Sequence, residues 1–120
     1  QADGGTRPAA ITGSFVALSL AVNKLVNEGV ILEYPIPHPV AAVSVGVVEG
    51  QPMLDLCYVE DAAADVDMNL VMTGTGEYIE VQGSGEEATF SADELNVLLA
   101  HGKKGVDELV QLQKAAIDAA

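Results

Sequence analysis

Tryptophan is absent from the 120 residues, and cysteine occurs once, at Cys57. A single cysteine excludes an internal disulfide framework and fits a reducing compartment. With only two Phe and three Tyr, any core has to be built from Val, Leu, Ile, Ala and Met. Basic residues are scarce: 5 Lys and Arg stand against 18 Asp and Glu, for a net charge of -13. Such a chain alone has no electrostatic footprint for nucleic acid or for an anionic membrane. No run of 18 uninterrupted apolar residues occurs, which reads as excluding a membrane span. An initiator methionine is missing too. Gln1-Ala2-Asp3-Gly4-Gly5 resembles neither a signal peptide nor a natural start, so the chain is expected to be a piece of something longer.

Apolar residues nevertheless make up 49% of the chain. That argues against disorder and for one domain at most. Asp3-Gly4-Gly5-Thr6 has turn chemistry, with Thr6 a candidate N-cap and Pro8 in a first helical turn, where a missing N–H costs least. Ile11, Phe15, Leu18, Val22 and Leu25 then recur at helical spacing, on a helix apolar enough to be buried on more than one face. Gly29 suits a left-handed C-terminal cap. Pro35, Pro37 and Pro39 mark an extended connector.

Val40 to Val48 reads as a buried strand, and Met53 to Tyr58 as its hairpin partner across the turn at Glu49-Gly50-Gln51-Pro52. A short helix is expected over Glu60–Ala64. Met68, Leu70 and Met72 alternate as a third strand. In a fourth, Tyr78–Gln82, Ile79 and Val81 point one way and Glu80 and Gln82 the other. Ser91 and Glu94 form a capping box ahead of a long helix, which Gly102 and Gly105 are expected to interrupt. The predicted fold class is α+β: helices packed on a mainly antiparallel sheet of four or more strands.

Two clusters have chemical potential. Gly5, Thr6 and Arg7 stand at a helix start, where free N–H groups and the positive dipole end favour an anion. Arg7 is the only arginine, and its planar fork suits a phosphate. The bland alternative is a turn, a cap and a surface arginine. The second cluster is Glu60, Asp61, Asp65 and Asp67, with small alanines between. Facing carboxylates repel unless a cation joins them, and oxygen-only ligation with room for water suits magnesium. The bland alternative is a solvated acidic turn. Sharper motifs fail. Asp65, Asp67 and Asn69 imitate a calcium loop, but Leu70 and Gly76 stand where its glycine and final glutamate belong. Dinucleotide and Walker glycine patterns are absent. His38, His101 and Cys57 are too dispersed for a Cys/His metal site.

Several segments stand in a telling order along the chain: Gln1 to Arg7 with Ile11-Thr12-Gly13, Ala41 to Gly46, Asp55-Leu56, and Tyr58 through Asp61. Asp67-Met68-Asn69, Val71-Met72-Thr73, Ile79 to Gly83 and Gln113 to Ala116 follow. Together they resemble the ribonuclease PH family. The resemblance covers the C-terminal half of that family only. It implies that residues 1–33 close the family's N-terminal domain and that 38–120 form its C-terminal domain.

The implied activity is phosphate-dependent 3′-to-5′ trimming of tRNA precursors with release of nucleoside diphosphates, reversible as nucleotidyl transfer. The implied roles place inorganic phosphate on Gly5, Thr6 and Arg7, and magnesium and acid/base work on Asp61 and Asp67. The family also implies a cytoplasmic hexameric ring and dependence on the N-terminal half, which holds most RNA-binding charge. Pro8 stands where the family has a small hydroxyl residue, which removes one backbone N–H. A different class of reading is a catalytically silent structural or engineered half-domain that binds a partner half or self-associates. A generic acidic metal-binding module ranks far below both.

Overall fold

The computed structural model describes residues 5–31, 36, 38–48, 50–54, 65–85 and 88–119. The elements run α1 (Thr6–Asn27), β1 (Val40–Val48), β2 (Gln51–Leu54), β3 (Val66–Thr73), β4 (Tyr78–Gly85) and α2 (Ala92–Asp118). The strands form one antiparallel sheet in the order β2-β1-β3-β4. This is the expected α+β architecture. The expected short helix over Glu60–Ala64, the strand residues Asp55–Tyr58, Cys57 and Asp61 lie outside the described residues.

Strand alternation builds the core. Ala41, Val43, Val45 and Val47 of β1 and Val66, Met68, Leu70 and Met72 of β3 share one face of the sheet. Leu98, Val106 and Val110 of α2 complete the cluster. Each fully buried Leu or Met there contributes about 1.5–3 kcal/mol. β2 is longer at its start than expected, because Gly50 at φ 77° tightens the hairpin and lets Gln51 pair with Val48.

The helix ends follow local chemistry. The Gly29 N–H bonds the Val26 carbonyl and the Val30 N–H bonds the Leu25 carbonyl. With Gly29 at φ 76°, this is a Schellman ending. At α2 the capping box is complete: the Glu94 N–H donates to Ser91 Oγ, and the Ser91 N–H donates to Glu94 Oε1. Contrary to expectation, α2 runs unbroken through Gly102 and Gly105. Both glycines are buried against the sheet. A Cβ at Gly102 would collide with Leu70, and one at Gly105 would lie 2.8 Å from Leu54 and 3.2 Å from Val43. The glycines let the helix approach the strands closely, and that packing outweighs their poor helix propensity.

α1 departs from expectation in another way. Only Pro8, Ser19 and Val22 are buried on it, and Leu18 is 54% exposed. It packs on β1 and α2, with lighter contact to β3. Leu18 and Leu25 are exposed, and Ile11, Phe15, Val16, Leu20 and Val26 are only partly covered. By length and composition α1 is also long and apolar enough to cross a membrane, even though polar residues interrupt its apolar stretch, so the expectation of no such segment does not hold on that test. Polar interactions nonetheless tie it to the sheet domain. Thr12 bonds the Ala42 backbone, and Gln113 Nε2 of α2 donates to the Thr12 carbonyl at 3.1 Å and to the Val40 carbonyl at 2.8 Å.

Candidate functional site

The first helical residue is Thr6, and the N-cap is Gly5, not Thr6. Gly5 sits at φ 59°, ψ 26°, in the left-handed region that glycine enters without strain. No side chain caps the helix. The Gly5 carbonyl accepts from the Ala9 N–H at 2.9 Å. The Thr6 and Arg7 N–H groups have no partner within the helix, and Pro8 has none to offer. Two backbone donors and the positive dipole end therefore mark this terminus.

These residues face the middle of the sheet. Gly5, Thr6, Arg7 and Pro8 form one side of a cleft of about 170 Å³, and Ser44, Asp67 and Asn69 form the other. The register explains the second side. Ser44 of β1 pairs with Asn69 of β3, and Gly46 pairs with Asp67. All four positions lie on the sheet face opposite the core. The residue across from the half-buried Asp67 is the buried Gly46, which adds no side chain of its own to that face. A smaller adjoining recess of about 140 Å³ continues over Asp67 and Asn69 to Gln82, Gly83 and Ser84 of β4. Of the predicted site residues, the fold brings Gly5, Thr6, Arg7 and Asp67 around one space. Asp61 lies outside the described residues.

Arg7 is not a free surface arginine. Its Nη1 lies 2.8 Å from Glu80 Oε1, and its Nη2 donates to Glu80 Oε2 at 2.8 Å. Glu80 belongs to β4, opposite Val71, on the same sheet face as Asn69 and Gln82. The hydrogen bond from Arg7 holds the Glu80 carboxyl below its ordinary value, partial desolvation opposes that, and Coulomb attraction adds to it. The guanidinium's own pKa rises for the same reasons, hydrogen bond first.

The sequence reading did not single out Glu80 and Ser44 as parts of this region, nor Gln113 as the residue that ties α1 to β1. Glu80 was legible as a polar-face residue, but its partner lies 73 positions away. Gln113 falls on the apolar stripe of α2 among Val106, Val110 and Ile117, and a polar residue on such a stripe was the available signal.

Among the described residues no group of three His, Cys, Asp or Glu converges. The cleft instead offers the Asp67 carboxylate beside the neutral oxygens of Ser44 and Asn69. One or two carboxylates with room for water is the donor set that magnesium accepts.

Comparisons with known proteins give the setting. Residues 38–105 match the model described as the 3′ exoribonuclease family, domain 2. The ribonuclease PH of Neisseria meningitidis is 58% identical over 120 residues, which is 100% of this chain and 50% of the relative. That of Corynebacterium efficiens is 58% identical over 117 residues, 98% of this chain and 48% of the relative. The chain thus spans about half the length of the curated relatives it matches. Among solved structures, rice Rrp46 superposes with a TM-score of 0.73 at 21% identity, covering 98% of this chain and 50% of that one. At that identity the likeness concerns the fold.

Proposed function

The chain belongs to the ribonuclease PH family of 3′ exoribonucleases, and from that premise we propose that it supplies half of a site for phosphate-dependent 3′-to-5′ shortening of RNA. The observation that carries this reading is the cleft that gathers Gly5, Thr6 and Arg7 opposite Asp67. Phosphorolysis has to bring two anions together, phosphate and the RNA backbone. The N–H groups of Thr6 and Arg7 and the Arg7 guanidinium bind and orient the phosphate. Asp67, with Asp61, would hold magnesium, and Ser44 and Asn69 line the cleft beside Asp67. The metal, when bound, supplies charge neutralisation at the leaving 3′-oxygen. The fixed donors of the helix start add electrostatic stabilisation without reorganising, and positioning supplies much of the rate.

Family resemblance extends the proposal. The substrate is a tRNA precursor 3′ end, the products are nucleoside diphosphates, the compartment is the cytoplasm, and the assembly is a hexameric ring. Residues 1–33 act as the end of the N-terminal domain and 38–120 as the C-terminal domain. The N-terminal half contributes the basic RNA path that a chain of net charge -13 lacks, and it covers the exposed apolar side of α1.

The test is release of nucleoside diphosphates from a 3′-extended RNA. It is run with the chain alone and with the chain joined to the N-terminal half of its relatives. Release that needs phosphate, magnesium and the joined half supports the reading. Release of nucleoside monophosphates without phosphate overturns it. No release from a folded, joined protein favours the silent structural alternative.

A further inference from the structure

We infer that Glu80 is a positioning residue for phosphate: it holds the Arg7 guanidinium over the cleft and leaves a second donor edge for the anion. The inference rests on the reading of Arg7 as a phosphate ligand given above. It starts from geometry. Both contacts to Glu80 use the Nη1 and Nη2 end of the guanidinium, each at 2.8 Å. An arginine has five N–H donors in a flat fork. An end-on carboxylate occupies two of them. The side edge, Nε–H with one Nη–H, still presents a parallel pair suited to two phosphate oxygens.

The location of Glu80 fixes where that edge goes. Asn69 of β3 pairs with Gln82 of β4, and Val71 pairs with Glu80. Glu80 therefore stands one pair of positions beyond the cleft floor, on the same face. To reach it, Arg7 extends from the start of α1 across β3, beside the space that Asn69 and Asp67 line. Without this partner, a long side chain at the second helical position would sample many rotamers. The two side chains are 51% and 36% exposed, and pairs so exposed contribute little to stability. Orientation of the fork is the effect that remains. A carboxylate beside the phosphate site also weakens the attraction for a second anion, so positioning and repulsion predict opposite outcomes when Glu80 is removed.

The experiment measures phosphorolysis by the joined protein at varied inorganic phosphate, for the parent, Glu80→Ala and Glu80→Asp. Positioning predicts a KM for phosphate about tenfold higher in Glu80→Ala, with kcat changed less than about twofold and partial rescue in Glu80→Asp. In parallel, the NMR signal of Arg7 Nε–H should broaden or shift in Glu80→Ala and respond less to added phosphate. An unchanged KM with a lower melting temperature overturns the inference and leaves a purely structural pair. A lower KM also overturns it, since Glu80 would then be a repelling neighbour. A parent with no phosphate-dependent release overturns the functional reading itself. In that case the Nε–H signal decides the inference separately, and an Arg7 signal insensitive to Glu80→Ala overturns it.

Discussion

Thr12 Oγ1 accepts a hydrogen bond from the Ala42 N–H at 3.0 Å and donates one to the Ala42 carbonyl at 3.3 Å. A threonine side chain thus performs, for one residue of β1, the pairing that a neighbouring strand would perform. β2 pairs only with Val45–Val48, so the earlier part of that edge of β1 needs other partners. Thr12 supplies them for Ala42, and Gln113 supplies one for Val40. The same contacts fix α1 in place. They set Gly5, Thr6 and Arg7, which precede Thr12 on the helix, over Ser44 and Asp67.

Thr12→Val therefore removes both bonds and leaves a buried N–H and carbonyl of β1 unsatisfied. The expected loss is about 1–3 kcal/mol, read as a lower urea midpoint with unchanged slope. Thr12→Ser keeps the hydroxyl and should lose much less. Equal stability of Thr12→Val and the parent would show that this contact does not anchor the helix.

Gly102→Ala sets two effects against each other. Helix propensity alone favours alanine by about 1 kcal/mol. The added methyl, however, meets Leu70, which is 0% exposed and closely surrounded. Overpacking of this kind costs about 1–3 kcal/mol. The net expectation is destabilisation, seen as a lower melting temperature. A rise would mean that Leu70 repacks without strain.

Asp67→Asn keeps the shape and the strand position but removes the charge. In the joined protein it should lower phosphorolysis by about a hundredfold or more, with the circular dichroism melt little changed. Full activity in this variant would remove Asp67 from its proposed role.

The Arg7–Glu80 pair gives a pH signature. Glu80 is held below its ordinary value of 4.5, by the hydrogen bond first. Its folded pKa is depressed, so its contribution is complete above the ordinary carboxylate range. It is lost as pH falls below 4.5 through the folded value. A carboxyl NMR titration should place Glu80 below 4.5 and return it to the ordinary range in Arg7→Ala. An identical titration in both proteins would show that the pair does not persist in solution.

Much of the fold was legible in local pattern. The alternation of Met68, Leu70 and Met72, the Ser91 and Glu94 box and the Gly29 ending each act within a few residues. Backbone hydrogen bonding and side-chain period decide such features without distant help. The turn ahead of α1 was visible for the same reason, as glycines before a helix start.

Local pattern thus accounts for both long helices, the strands, the Gly29 and Ser91–Glu94 helix ends, and the family resemblance borne by ordered motifs. Three things were settled only in three dimensions. α2 passes unbroken through Gly102 and Gly105, because contact with Leu70 and Leu54 outweighs intrinsic propensity. Gly5, rather than Thr6, caps α1, because a left-handed residue is what turns the chain into the helix there. Arg7 faces Glu80, and Gly5–Arg7 faces Asp67, because strand register and the Thr12 anchor bring together residues far apart in the chain. Distances of that kind arise from packing among remote segments, which no local pattern encodes.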